Sequence, residues 1–273
     1  MKYGIIAGNG RFPVLALETA RKQGDEVVVF AIREEASAEV EELAAKCYWI
    51  SLGDLGKLID GCKSEAISQI MMAGQVKHAK IFSSIRPDWR LAKVLLGLAT
   101  KNTDSLIGGI RQVLLNEGIE LVDSTLLLKP LLATAGAMSK RKPDSDERRD
   151  IEYGRKIANA LASLDLGQSV AISDRACVAL EAMEGTDAML RRAASLVEGK
   201  RLTLVKASSR RRHLLFDVPV IGPATIETMI ATGTTAVAVD AGRTLLLDRE
   251  ELQNKANAAG IAVFGMEPEG RIT

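Results

Sequence analysis

Apolar and polar positions fall into alternating blocks along the first half of the chain. The run "YGIIAG" (3–8) predicts a strand, and residues 12–22 carry helical spacing that stops near Gly24. "EVVVFAI" (26–32) predicts a second strand, followed by an acidic helical stretch over 37–46. A helix around 54–61, a strand "AISQIMMAG" (66–74), a long helical zone over 89–117 and a strand "IELVD" (119–123) complete this half. Strands alternating with helices predict a parallel sheet with crossover helices. The apolar runs are continuous, as expected where both sheet faces are covered.

The second half has a different texture. "QSVAIS" (168–173) and "ACVALEAM" (176–183) flank a two-residue turn and read as an antiparallel hairpin. A helix over 187–197 and the strand "RLTLVK" (201–206) come next, then the apolar run "LLFDVP" (214–219) and a helix over 223–232 opened by Pro223. "TAVAVD" (235–240), "TLLLD" (244–248), a helix with Asp248 and Glu251 as a capping pair, and "IAVFG" (261–265) follow. Between the halves, "SKRKPDSDERRD" (139–150) holds no apolar residue and reads as a solvated linker running into a helix. The expected organisation is α/β. An N-terminal Rossmann-like parallel-sheet domain spans 1–138, a linker 139–149, and a C-terminal mixed α+β domain 150–273, with a ligand cleft between the domains.

Composition narrows the function classes. Apolar residues make up 47% of the 273 and charged residues 26%, with a net charge of +1. That balance argues against nucleic acid as a partner. Cys47, Cys62 and Cys177 are scattered and form no C-x-x-C pair, which fits a reducing, cytoplasmic setting. With only His78 and His213, a three-histidine zinc centre is impossible. No apolar run approaches the roughly 20 residues of a membrane span. No secretory signal is expected either, because the first apolar stretch is short and broken by glycines.

Several stretches could carry chemistry. Gly8-Asn9-Gly10 supplies two glycines of a G-x-G-x-x-G fingerprint, but Pro13 stands at the third position. The third glycine normally permits close helix–strand packing, so its loss weakens the reading as an NAD-linked oxidoreductase. The turn could instead aim backbone N–H groups at a phosphate or uridine, or serve only as a tight connection. In "EAMEGTDAML" (181–190), Thr186 is the expected helix N-cap, with Glu181, Glu184 and Asp187 crowding the same corner. Those acids either complement the helix dipole or hold Mg²⁺ against a substrate phosphate.

Asp217 lies in an apolar run, where a carboxylate is costly unless paired, metal-bound or catalytic, although a turn aspartate before Pro219 is the plainer alternative. Lys206 ends a strand, where an ammonium could meet phosphate. Arg210, Arg211, Arg212 and His213 form the densest basic run, read either as a solvated loop or as a rim for an anion. No G-x-S-x-G elbow, P-loop or H-E-x-x-H pattern occurs.

Taken in order, "GIIAGNGRFP", "MAGQVK" (72–77), "LDLGQSVAI" (164–172), "EGTDAML", "FDVPVIGPATIE" (216–227) and "VDAGRTLLLDR" (239–249) closely resemble the LpxI family. Its members are UDP-2,3-diacylglucosamine pyrophosphatases of lipid A biosynthesis. The resemblance implies an Mg²⁺-dependent hydrolase (Mn²⁺ as the alternative) that forms UMP and 2,3-diacylglucosamine 1-phosphate, lipid X. It also implies a homodimer and transient contact with the inner-membrane surface.

The family's essential aspartate, in F-D-x-P, maps to Asp217. Asp217 and Lys206 are the expected catalytic residues, and Asp217, Asp187 and Glu184 the expected metal ligands. Substrate contacts are expected from Gly8, Asn9, Gly10, Arg11, Gly74, Gln75, Gln168, Gly185, Thr186 and Gly222. Where the family carries a Gln-Asp pair and then an arginine before F-D-x-P, this chain has Arg212, His213 and Leu215, to which no role transfers. That departure leaves a non-catalytic nucleotide-lipid binding protein as a further alternative.

Overall fold

In the first half, every predicted strand is buried and runs in the same direction. The computed structural model describes residues 2–76, 86–98, 103–208 and 218–267. The chain divides into two units, Met1–Leu128 and Lys129–Thr273. In the first, β1 (Lys2–Ala7), β2 (Glu26–Ile32), β3 (Lys46–Ile50), β4 (Gln69–Ala73) and β5 (Glu120–Leu121) form one parallel sheet in the order β3-β2-β1-β4-β5. Helices α1 (Arg11–Gln23), α2 (Glu39–Leu43), α3 (Leu55–Ser64), α4 (Trp89–Leu96) and α5 (Thr103–Asn116) make the connections. Strand order reverses between β1 and β4, which places a crevice at their C-terminal ends, the usual ligand position in such sheets.

Two expectations change here. The acidic stretch folds into helix only over Glu39–Leu43 and is followed by β3, a strand the hydrophobic pattern hid. Its central residues Cys47, Tyr48 and Trp49 are half-buried, because β3 is the sheet edge and pairs only with β2. The long helical zone holds two helices, α4 ending at the Gly97 cap and α5 packing Gly109 tightly against Val94.

The second unit is built on a mixed sheet in the order β6-β13-β11-β9-β7-β8. Its strands are β6 (Gly136–Ala137), β7 (Ser169–Ser173), β8 (Ala176–Leu180), β9 (Leu202–Lys206), β11 (Thr234–Asp240) and β13 (Ala262–Met266). A separate parallel pair joins β10 (Val220–Ile221) to β12 (Leu245–Leu246). Strands β9, β11 and β13 are parallel, while β6, β7 and β8 run antiparallel to their neighbours.

Alternate strand residues feed opposite cores, as period-2 geometry requires. Val170, Ile172, Val205 and Ala238 meet α6 (Ser145–Ser163) on one face. Ala171, Leu204, Val237 and Val239 meet α7 (Thr186–Leu196), α8 (Pro223–Ala231) and α9 (Arg249–Ala258) on the other. The hairpin turn is Asp174-Arg175, with φ of 50° and 60°, the double left-handed geometry that matches strand twist.

The expected linker is not a linker. Residues 139–149 lie within the second unit, which begins at Lys129. Arg141 forms a two-pronged ion pair with Glu147, 2.7 Å on each prong, and Glu147 is 1% exposed. Burial pushes the Glu147 carboxyl up, but hydrogen bonds from Arg141 and Thr235 outweigh it and hold the group below the usual carboxylate value. Asp144 and Glu147 close a capping box on α6, and the Lys140 amide donates to Asn257 at 2.7 Å. A charged stretch thus becomes structure by satisfying its own charges.

Two other caps also differ from expectation. Gly185, not Thr186, is the N-cap of α7, and Asp248 sits at φ 44° without capping α9 through its side chain. Among the described residues, no helix is long and apolar enough to cross a membrane.

Candidate functional site

The opening turn of the first unit lies at the strand-order reversal, but its amides are largely spent on protein. Gly8 donates to Ala73 O at 2.8 Å, and Asn9 and Gln75 exchange hydrogen bonds at 2.8 and 2.9 Å. This backbone crossing explains two glycines. A Cβ on Gly8 would lie 2.5 Å from Gln75 O, and one on Gly74, at φ 88°, would lie 2.5 Å from Asn9 O. Pro13 packs against the same Gly74 corner, and its missing N–H costs nothing in the first turn of α1.

The amides of Gly8 and Asn9 therefore do not form the open pyrophosphate cradle of a dinucleotide fingerprint. What faces outward is exposed Asn9 and Gly10 at the start of α1, a helix N-terminus with no side-chain cap. Arg11 is engaged by Glu18 at 3.1 Å and Glu39 at 3.4 Å. The arrangement can receive an anion at the helix end.

The second unit assembles a denser site at one edge of its sheet. The C-terminal ends of β8 and β9, the start of β7 and the N-terminus of α7 meet there, because β7 runs against β9 and pairs Ser169 with Lys206. Lys206, 7% exposed, donates from Nζ to Thr186 Oγ1 at 2.9 Å. Thr186 in turn donates to Glu181 Oε1 at 2.8 Å. Ser169 Oγ lies 3.1 Å from the same Thr186 hydroxyl.

The Gln168 amide donates to Glu181 Oε2 at 3.3 Å, and the Gln168 carbonyl accepts from Ala207. Burial raises the Glu181 carboxyl, yet attraction to Lys206 and the bonds from Ser169, Thr186 and Gln168 leave it below the usual value. The result is a buried ammonium held beside a carboxylate through one hydroxyl. It lies at the sheet edge, next to exposed Leu180 and Met183.

A second polar group lies at the C-terminal ends of the interior strands β9 and β11. The amide and hydroxyl of Ser208 donate to Asp240 Oδ2 at 2.8 and 3.2 Å, and Arg243 Nε donates to Ser208 Oγ at 2.6 Å. Arg155 approaches the other Asp240 oxygen at 4.0 Å. Asp240 and Ser208 were not singled out from sequence. The available signal was an acid closing the apolar strand "TAVAVD", the same kind of signal that drew attention to Asp217.

The remaining expected residues scatter. Glu184 is exposed, caps the Ala182 amide and pairs with Arg192 at 2.7 Å, and Asp187 lies half-buried in the first turn of α7. Gly185 caps that helix, and Gly222 caps α8. Asp217 lies outside the described residues, as do the whole run Arg210–His213 and His78. Among the described residues, no three His, Cys, Asp or Glu side chains assemble into a group that could hold a metal ion.

Comparison with known proteins follows the same division of the chain. The LpxI N-terminal domain matches residues 2–131, and the LpxI C-terminal domain matches residues 134–264. The chain is 31% identical over 280 residues to the UDP-2,3-diacylglucosamine pyrophosphatase LpxI of Caulobacter vibrioides, covering 99% of each protein. Among solved structures, it is similar to phosphoribosylglycinamide synthetase from Anaerococcus prevotii, at 12% identity and TM-score 0.27 over 63% of this chain and 31% of that one. It is also similar to N5-carboxyaminoimidazole ribonucleotide synthetase from Thermotoga maritima, at 13% identity and TM-score 0.28 over 63% and 33%. The chain spans about a third of those two proteins, and superpositions at that level carry no argument. Matched in both halves and along nearly its whole length, the chain belongs to the LpxI family.

Proposed function

We propose that this chain hydrolyses the pyrophosphate bond of UDP-2,3-diacylglucosamine in lipid A biosynthesis, releasing UMP and 2,3-diacylglucosamine 1-phosphate. The observation that carries the reading is the ordered match of both LpxI domains, together with a full-length relative named for that substrate. The sheet-edge cluster supports it on physical grounds. Pyrophosphate cleavage needs charge neutralisation at the phosphoryl oxygens and a positioned water.

In this reading, Lys206 supplies a positive charge, held in place by Thr186, whose hydroxyl also bonds Glu181. The N-terminus of α7 adds backbone N–H groups beside it, and the exposed Leu180 and Met183 offer apolar surface to an acylated substrate. Asp217 positions the water for attack on the phosphorus nearer the sugar. The new P–O bond forms there, the bridging P–O bond breaks, and UMP leaves.

Dependence on Mg²⁺, with Mn²⁺ as a substitute, belongs to the same proposal. The described carboxylates do not make its site by themselves, since Glu184 answers Arg192 and both Glu181 oxygens are already bonded. In this reading Asp217 belongs to the ligand set. Homodimer formation and transient contact with the inner-membrane surface are further parts of the proposal.

The test is hydrolysis of UDP-2,3-diacylglucosamine in ¹⁸O-water by the wild type and Asp217→Ala. The expected result is label in the 1-phosphate product, none in UMP, and turnover abolished in a variant that still folds. No UMP release from the wild type with Mg²⁺ or Mn²⁺, or near-normal turnover by Asp217→Ala, would overturn the reading.

A further inference from the structure

Helix α4 is apolar on both of its faces. Leu91, Val94 and Leu95 point one way, and Leu91 is 2% exposed. Trp89, Lys93 and Leu96, at i, i+4 and i+7, line the opposite side. There Trp89 is 73% exposed and Leu96 is 89% exposed. Two large apolar side chains at these exposures, on a helix of about 12 Å, need an explanation that packing among the described residues of the unit does not supply.

Positive charges predominate around them, with exposed Asp60, 3.5 Å from Arg90, as the counter-charge. Arg86 and Lys93 are exposed, and Arg90 lies over the Trp89 ring with Cζ 5.6 Å from its centre. On the adjoining α5, Arg111 and Leu115 are exposed as well. Asp88 is the sole carboxylate in the sequence from 77 to 101. Its oxygens are taken by the Leu91 and Gly56 amides, where it caps α4. The protein as a whole carries only +1, so this concentration of positive charge is local.

Trp with Lys and Arg is the composition of a surface that rests at a bilayer interface. The indole sits at headgroup level, while the cations meet anionic lipid. We propose that the outer face of α4 docks on an anionic phospholipid bilayer. This rests on the functional reading only in that a diacylated substrate would be met there.

The test is co-sedimentation of the full chain with vesicles of equal parts phosphatidylcholine and phosphatidylglycerol, against phosphatidylcholine alone. Binding is expected to the mixed vesicles only, and to fall with added salt. Trp89→Ser/Leu96→Ser is expected to lower partitioning at least about tenfold. Lys93→Glu should lower it at least about fivefold. In a Trp49→Phe background, Trp89 is the remaining indole, and its emission should move to the blue on binding.

Far-UV circular dichroism and urea midpoints of the variants should match the wild type, since the replaced side chains are exposed. Absence of binding, equal binding to neutral vesicles, or unchanged binding by the double variant overturns the proposal. So does conversion of a dimer to a monomer in that variant with vesicle binding intact, which would assign the face to a second copy. UMP release from detergent-dispersed substrate should be unchanged in the variants. Its absence in every form, with vesicle binding intact, would overturn the functional reading and support docking.

Discussion

Glu181→Gln isolates the charge at the centre of the sheet-edge cluster. The carboxylate is 8% exposed, accepts from Thr186 at 2.8 Å and Gln168 at 3.3 Å, and stands one hydroxyl away from the Lys206 ammonium. Glutamine keeps the shape and removes the charge. A hydrogen bond to a charged group contributes about 1.5–3 kcal/mol against about 0.5–1.5 for a neutral one, and Lys206 also loses its counter-charge in a poorly solvated site. The expected cost is about 2–4 kcal/mol, with Glu181→Ala in the range of about 3–5 kcal/mol typical of leaving a buried charge unpaired.

Urea unfolding at neutral pH, followed by far-UV circular dichroism, measures it. The pH dependence supplies a second check. The folded carboxyl titrates below its ordinary value of 4.5, so its contribution is fully present above that value and is lost as pH falls through the lower folded value. The gap between wild type and Glu181→Gln should therefore hold steady from neutral pH to about 4.5 and narrow below it. A glutamine variant as stable as the wild type at neutral pH, or a gap that fails to narrow on acidification, would refute the ionic account of the cluster.

Other consequences concern the backbone and the misread linker. Gly8→Ala places a Cβ 2.5 Å from Gln75 O and should destabilise by about 1–3 kcal/mol in urea unfolding. Gly74→Ala should cost about 1–2 kcal/mol more, because it adds a left-handed φ of 88° to a similar collision. Native trypsin digestion should spare Lys140 and Arg141 until the second unit unfolds. Glu147→Ala, which leaves Arg141 without its buried partner, should open that stretch to cleavage and cost about 3 kcal/mol or more.

Legibility in the sequence followed the range of the signal. Strands β1, β2, β7, β9, β11 and β13 were readable because a buried strand writes its apolar run locally, and the Asp174-Arg175 turn marked its own hairpin. Strand β3 was hidden because an edge strand, half-exposed, has no such run. The 139–149 stretch was misread because it has no apolar residue, and its partners, Thr235 and Asn257, are about a hundred positions away. Composition cannot register a charge that finds its opposite only after folding.

The sequence by itself determined the buried strands and most of the helices, the two-part organisation, the family motifs, the acidic corner at Glu181 to Asp187 with Thr186, and, separately, Lys206 at a strand end. Only the tertiary structure decided what those residues do to one another. It consumed the Gly8 and Asn9 amides in a backbone crossing with Gln75, buried Glu181 and left Glu184 at the surface with Arg192. It also brought Ser208, Asp240 and Arg243 together at the C-terminal ends of β9 and β11. The reason is geometric. Periodicity and turn chemistry act over a few residues, whereas solvation, pairing and proton affinity depend on neighbours that only strand register brings within hydrogen-bond reach.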